Sequence, residues 1–180
     1  MAIREYRGIT PVIAASAYID DTALVIGDVT VGDDSSLWPM TVARGDVHSI
    51  TIGARTNIQD GSILHVTSDN RFTPGGFALS VGDDVTVGHG AILHACTIMN
   101  RVLVGMGATV LDGAVVEDRV MIGAGALVSP GKRLVSGYLY LGSPARQVRA
   151  LKQEELDYLD FSSSHYVELK NRHRGISQGG

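Results

Sequence analysis

The chain has 180 residues, of which 44% are apolar, enough for one domain with its own core. A net charge of −4 without a basic block argues against a nucleic-acid partner. No apolar run approaches the roughly 20 residues of a membrane span, so no membrane partner is expected. The N-terminus lacks a secretory signal, and the single cysteine, Cys96, excludes an internal disulfide, so we expect a cytoplasmic protein.

Aliphatic residues recur at every sixth position through most of the chain. One run begins at Ile19, a second at Ile52 and a third at Val81, and the longest extends from Ile98 to Tyr140. The period is disturbed between residues 38 and 51 and again between residues 67 and 80. Period six fits neither a helix nor a sustained alternating strand. It is typical of short strands joined by turns and coiled into a prism around an aliphatic axis.

We therefore predict an all-β solenoid over residues 1–148, and hexapeptide proteins with this pattern resemble left-handed parallel β-helices. A β-sandwich is the alternative, but its turns vary more in spacing. Pro74, Gly75 and Gly76 lie in a segment, residues 71–79, that we expect to loop out from one corner. Helical spacing after Pro144 predicts a C-terminal α-helix over residues 149–174, packed on the β-helix and followed by a disordered tail at 175–180.

Three histidines occupy related positions in the repeat. His65 and His94 each follow a core residue directly, whereas His89 lies two places past its core residue and should face another direction. Neutral imidazole binds zinc, iron(II) or cobalt, and three such ligands leave one position for water. Two ligands facing one way and a third that is offset predict a site completed by a second copy, as in a trimer. The alternative is that these histidines cap turns or face solvent.

Polar side chains cluster next to these histidines in the sequence. Arg44 and Asp46 flank a glycine where the repeat is disturbed, and Asn57, Gln59 and Asp60 surround a core isoleucine. Polar groups this dense need partners, or their burial costs free energy. They could support a metal-bound water or form an ion-pair network between subunits. We expect Arg44 and Asp46 to tie subunits together and Gln59 to contact the water.

Taken together, these motifs resemble a known family. The segments RGD, NIQDGSILH, VGHGAILHACTI and GYLYLGSPAR resemble the γ-class carbonic anhydrases, and in particular their γ-carbonic-anhydrase-like bacterial subgroup. The resemblance covers about residues 10–170. It implies a left-handed β-helix homotrimer with Zn²⁺, or alternatively Fe²⁺ or Co²⁺, bound between subunits. The implied reaction is reversible hydration of carbon dioxide to bicarbonate by a metal-bound hydroxide.

The resemblance also implies residue roles. His65 and His94 would come from one subunit and His89 from its neighbour. Gln59 would hydrogen-bond the metal-bound hydroxide, and Asn57 would orient Gln59. Arg44, Asp46 and Asp60 would form the charge network at the interface.

One departure from the family concerns proton transfer. Founding members carry glutamates that move the proton to solvent, whereas here Val47 follows Asp46 and no glutamate lies between Glu5 and Glu117. Turnover needs a proton exit. His48 is the nearby titratable side chain whose type suits a proton shuttle. If His48 does not transfer the proton, we expect low activity.

Two other functions are compatible with the sequence. Hexapeptide proteins include coenzyme A-dependent acyltransferases, although these use one catalytic histidine, and an acyl-CoA thioesterase could use the same metal centre. The second alternative is a catalytically silent metal-binding trimer. Cys96 lies two residues past His94 and is interpreted as a small buried hydrophobe rather than a redox switch.

Overall fold

The computed structural model describes residues 3–175. Within this range the chain forms short β-strands followed by one α-helix. The elements are β1 (Ile3–Arg4), β2 (Val12–Ile13), β3 (Tyr18–Ile19), β4 (Leu24–Val31), β5 (Ser36–Leu37), β6 (Val42–Ile52), β7 (Asn57–Ile58), β8 (Ile63–His65), β9 (Leu79–Val81), β10 (Thr86–Val87), β11 (Ile92–His94), β12 (Thr97–Ile98), β13 (Leu103–Val104), β14 (Thr109–Val110), β15 (Val115–Val116), β16 (Met121–Ile122), β17 (Leu127–Val128), β18 (Arg133–Leu134), β19 (Tyr138–Leu141), β20 (Arg146–Ala150) and α1 (Gln153–His173).

The strands wind into a left-handed parallel β-helix with three faces, as predicted. Face 1 contains β8, β11, β14 and β17, and face 2 contains β9, β12, β15 and β18. Face 3 contains β3, β5, β7, β10, β13, β16, β19 and β20. Neighbouring strands pair in parallel throughout, except that β20 folds back antiparallel on β19.

The aliphatic residues of the six-residue period form the buried axis. Ile58, Val87, Val104 and Ile122 stack on face 3, and each is 0% exposed. The predicted core column is therefore confirmed, although Ile19 at its start is only partly buried. Ala43 is also fully buried, so the period continues into the disturbed stretch with a residue too small to be recognised from the sequence.

Two long strands make the disturbed stretch. In β6, residues 42–43 pair with β8 on face 1 and residues 50–52 pair with β9 on face 2, so this strand bends around the corner between the two faces. The bend requires Gly45, because a Cβ there would overlap the carbonyl oxygen of Asp28 in β4. The loop predicted at residues 71–79 leaves the same corner; it begins earlier than predicted, because backbone hydrogen bonds between Thr67 and Phe77 close its base.

The helix lies against the prism. It begins at Gln153, later than predicted, because residues 146–150 form β20. The Glu155 carboxylate accepts the backbone N–H of Lys152 at 2.8 Å, and Glu154 and Glu155 in the first turn complement the helix dipole. Lys170 is 0% exposed and donates to Asp34 and to the Ser16 carbonyl, which fixes the last turn to the first coils.

No helix in residues 3–175 has the length and apolar composition that a bilayer span requires. The predicted tail at 175–180 lies outside the described residues except for Gly175.

Candidate metal centre

His65 and His94 lie side by side at the corner between faces 1 and 2. They end β8 and β11, and these strands pair with His94 directly opposite His65. The His65 Nδ1 and His94 Nε2 atoms are 3.1 Å apart. The sequence predicted equivalent directions for these two side chains, and the repeat explains them, because both histidines follow a core leucine one coil apart.

Each of the two imidazoles contacts a carboxylate through its other nitrogen. His65 Nε2 lies 3.1 Å from Asp46 Oδ1, and His94 Nδ1 lies 2.6 Å from Asp112 Oδ1. An ionised carboxylate can only accept, so both histidines donate these hydrogens. In the neutral rings, the nitrogens that face each other are then the ones that carry lone pairs. Two lone pairs at 3.1 Å repel unless a cation lies between them.

The charges around the pair favour this protonation pattern. Burial raises the pKa of Asp46, but hydrogen bonds from Arg44 and His65 outweigh it, so the pKa is lowered overall. Burial likewise raises the pKa of Asp112, and hydrogen bonds from Thr67 and His94 lower it further than burial raises it. Burial lowers the pKa of His65, and nearby Arg44 adds to the effect against the opposing influence of Asp46. The carboxylates are therefore ionised and His65 is neutral near pH 7.

His89 lies elsewhere in the chain, at the corner between faces 3 and 1. It follows β10 in the turn that leads to β11, with its side chain 47% exposed. Its Nδ1 lies 2.9 Å from Asp60 Oδ2. If Nδ1–H donates to Asp60, the Nε2 lone pair is left free to bind. His89 thus repeats the histidine–aspartate pairing of the other two histidines.

The three histidines do not converge within one chain. Among residues 3–175, no group of three or more His, Cys, Asp or Glu side chains is arranged to hold a metal ion. The reason is the topology: the His65–His94 pair lies at one edge of face 1, and His89 lies at the other.

Gln59 and Asn57 lie near His89 rather than near the histidine pair. Gln59, His89 and Thr86 line a cavity of about 380 Å³ between face 3 and helix α1. The Gln59 Nε2 donates to Asn57 Oδ1 at 3.1 Å, and both residues are buried. This hydrogen bond is compatible with the orienting role that the resemblance implies for Asn57, and that role stays a prediction.

Arg44 and His48 lie near Asp46, the aspartate that contacts His65. Arg44 donates to Asp46 Oδ2, so one carboxylate joins Arg44 to His65. His48 and Asp46 both line a second cavity of about 490 Å³ beneath the N-terminal segment. The His48 Nδ1 accepts the backbone N–H of Ser49 at 2.8 Å, so the hydrogen of the neutral ring is on Nε2.

Asp112 is the site residue that sequence reasoning missed. Its carboxylate bridges His94 and the Thr67 hydroxyl. Asp112 follows His94 by 18 residues, which is three hexapeptides and so one full coil. A search for acidic residues one coil away from each candidate ligand would have found it.

The donor set fits a divalent metal such as zinc. In a tetrahedral site with Zn–N bonds of about 2.0–2.1 Å, two ligand nitrogens lie roughly 3.3–3.4 Å apart. The observed 3.1 Å is close to that edge. Metal-binding histidines commonly donate their second N–H to a carboxylate, and His65 and His94 have this partner in place.

The fold and these motifs define a hexapeptide-repeat protein. The family described as bacterial transferase hexapeptide (six repeats) matches residues 95–130. A crystal structure of a hexapeptide transferase family protein from Anaplasma phagocytophilum superposes with a TM-score of 0.86 at 40% identity, covering 98% of both chains.

Two relatives with known names narrow this class. Protein YrdA of Escherichia coli K12 is 57% identical over 98% of this chain and 95% of its own length. A carbonic anhydrase of Geobacillus kaustophilus is 42% identical over 98% of this chain and 93% of its own length. The chain belongs to the γ-carbonic-anhydrase-like family of hexapeptide-repeat proteins.

Proposed function

We propose that this protein is a metal-dependent enzyme that catalyses the reversible hydration of carbon dioxide to bicarbonate between the subunits of a homotrimer. The observation that carries the proposal is the His65–His94 pair, whose facing nitrogens are 3.1 Å apart while aspartates hold the opposite nitrogens. A divalent metal such as Zn²⁺, Fe²⁺ or Co²⁺, when bound there, supplies a water made acidic enough to attack carbon dioxide at neutral pH.

The outer surface of face 1 supports a contact between copies. Ile63 and Ile92 point outward in register on this face and are 44% and 37% exposed. The His65–His94 pair lies at one edge of this apolar strip, and His89 lies at the other. A head-to-tail contact between these edges would bring His89 of one copy to the histidine pair of the next. Closure after three copies gives three equivalent sites.

The remaining residues have distinct roles in this proposal. Gln59, held by Asn57, would present its amide to the reacting water from the same subunit as His89. Arg44, Asp46 and Asp60 hold the ligand histidines and join the subunits. His48 would carry the released proton from the cavity behind Asp46 to solvent. A cytoplasmic location, which the single cysteine favours, stays a prediction.

The cavity beside Gln59 favours a second candidate reaction. Its volume of about 380 Å³ is larger than carbon dioxide needs. Its walls are largely apolar and include Leu103, Met121 and Leu139. An acyl thioester could place its acyl chain there and its carbonyl carbon near the metal. Release of coenzyme A thiol from acyl-CoA alone would identify a thioesterase, and release that requires an added amine or alcohol acceptor would identify an acyltransferase.

The direct test is stopped-flow hydration of carbon dioxide by zinc-loaded and iron-loaded protein. We expect activity from at least one form and none from His89→Ala loaded in the same way. Protein that binds metal stoichiometrically but catalyses neither reaction would be the silent metal-binding trimer.

A subunit-mixing experiment tests the shared site. His89→Ala retains the histidine pair, and His94→Ala retains His89, so each variant alone should be inactive. In trimers reassembled from equal amounts, about a quarter of the interfaces pair an intact edge with an intact edge. We expect about that fraction of wild-type activity to return. No recovery in trimers shown to be mixed would contradict a site made by two chains.

A further inference from the structure

Four buried polar side chains form a continuous series of hydrogen bonds from Gln59 to helix α1. Asn57, Gln59, Thr86 and Ser162 are 0%, 5%, 6% and 5% exposed. Gln59 Nε2 donates to Asn57 Oδ1 at 3.1 Å, and Asn57 Nδ2 donates to Thr86 Oγ1 at 3.0 Å. The Thr86 and Ser162 hydroxyl oxygens are 2.8 Å apart. The last contact joins β10 to the helix across 76 residues of sequence.

The direction of these hydrogen bonds follows from their partners. Asn57 Nδ2 also points at the backbone carbonyl of Val85 at 3.4 Å, and a carbonyl can only accept. The nitrogen of Asn57 therefore faces Thr86, and its oxygen faces Gln59. Gln59 must then present its nitrogen to Asn57 and its Oε1 to the cavity. Without the contact to the Val85 carbonyl, the oxygen and nitrogen of each side-chain amide could be interchanged.

Thr86 needs Ser162 to keep this direction. The Val85 contact is at the limit of hydrogen-bond length, so the Thr86 oxygen is the stronger acceptor for Asn57. Thr86 accepts from Asn57 only while its own hydrogen points elsewhere. The Ser162 hydroxyl is 2.8 Å away, and although either hydroxyl can be the donor, a Thr86 hydrogen directed at Ser162 points away from Asn57. A serine inside a helix and buried against a sheet is otherwise unfavourable compared with alanine.

We propose that Thr86 and Ser162 are positioning residues that hold the Gln59 amide with its oxygen toward the cavity, so that docking of helix α1 sets the alignment of Gln59. This inference rests on the proposed function, in which Gln59 contacts the reacting water. Among the described residues, neither Thr86 nor Ser162 has a hydrogen bond to His65, His89 or His94; each acts through Asn57.

Paired substitutions on the metal-loaded trimer test this role. Ser162→Ala removes the helix end of the relay, and Thr86→Val removes its central hydroxyl while keeping the side-chain shape. Loss of one such hydrogen bond should lower kcat for hydration about threefold to tenfold with little change in KM. Thr86→Ser keeps the hydroxyl and should restore most of kcat.

Ser163→Ala is the matched control. Ser163 is also buried on α1, but within residues 3–175 its hydroxyl bonds only to the Asp160 carbonyl of its own helix. Its substitution should leave kcat unchanged. If Ser162→Ala and Ser163→Ala lower kcat equally, Ser162 has only a packing role and the proposal is wrong.

A second readout does not depend on activity. The chain has four glutamines, so the side-chain amide of Gln59 can be followed by NMR after selective isotope labelling of glutamine. Ser162→Ala and Thr86→Val should shift this signal, and Ser163→Ala should not. An unshifted signal in both relay variants overturns the proposal. If the loaded wild type hydrates no carbon dioxide, the proposed function fails, and the amide signal alone then decides whether the relay exists.

Discussion

The regular and the irregular coils of the prism differ in what their residues do. From β12 to β18 every strand has two residues, and one aliphatic side chain per strand is buried in the axis. From β4 to β11 the strands reach eleven residues, a loop interrupts the repeat, and nearly all candidate site residues lie in this part. The regular coils therefore provide the core, and the coils next to the long strand β6 and the loop carry most of the polar side chains of the site.

The two parts are nevertheless joined by their hydrogen bonds. Asp112 belongs to the regular coils, yet it holds His94 in the irregular part. Ser162 on the helix reaches Thr86 beside Gln59. Asp112 on a regular coil thus holds Nδ1 of His94, whereas helix α1 contacts the Asn57–Gln59 pair through Thr86. Substitutions in the irregular coils should therefore affect mainly function, and substitutions in the regular coils should affect mainly stability.

The largest effect is expected from His94→Ala in the irregular part. Removing one lone pair from the facing histidines should abolish stoichiometric metal binding and lower hydration at least about a thousandfold. The free energy of unfolding of the metal-free protein should stay within about 1 kcal/mol of wild type, since His94 is partly exposed. Metal analysis, stopped-flow assays and urea unfolding would measure these effects. A loss of unfolding free energy well above about 1 kcal/mol in His94→Ala would contradict the separation of the site from the core.

The opposite pattern is expected from Ile122→Ala in the regular coils. Ile122 is 0% exposed in the axis, so truncation leaves a cavity and should lower the free energy of unfolding by about 2–4 kcal/mol. Urea unfolding measures the change, and metal content at low denaturant should not alter. Ile9→Ala is the control, because Ile9 is 49% exposed and should cost far less. Comparable losses from both variants would mean that the axis does not dominate stability.

The sequence predicted the axis well and the corners poorly. A period of six specifies which residues are buried, so the column from Ile98 to Tyr140 could be read directly. The period does not show where a strand bends across a corner. The need for glycine at position 45 becomes visible only in the structure, where the Asp28 carbonyl oxygen leaves no room for a Cβ. The helix start was missed because β20 forms through tertiary pairing with β19, which outweighs local helical spacing.

The candidate site was predictable in part for a similar reason. His65 and His94 share one position in the repeat, and repeat position determines direction. Asp112 was missed because its contact with His94 crosses between coils. The Thr86–Ser162 contact depends on how the helix docks, which no periodicity encodes.

Asp112→Asn tests the link from a regular coil to the site. Asparagine can still accept the His94 hydrogen but without charge, so His94 becomes a weaker ligand. We expect metal affinity to fall about 10- to 100-fold, measured by competition with a chelator. Asp118→Asn is the control, because Asp118 bonds Asn100 at a different corner. An unchanged affinity in Asp112→Asn would separate the regular coils from the metal centre.

The smallest effect is expected from His48→Ala, which tests whether the irregular corner also supplies the proton exit. His48 shares its cavity with Asp46, and Asp46 contacts His65, so a proton leaving the site has a short polar route to this histidine. In weak buffer we expect turnover to fall about threefold to tenfold, because proton release then limits the rate. Added imidazole buffer should restore it, since a diffusing base replaces the missing side chain. His165→Ala, an exposed histidine on α1, should show neither effect. Unchanged turnover of His48→Ala in weak buffer would assign the proton exit to solvent alone.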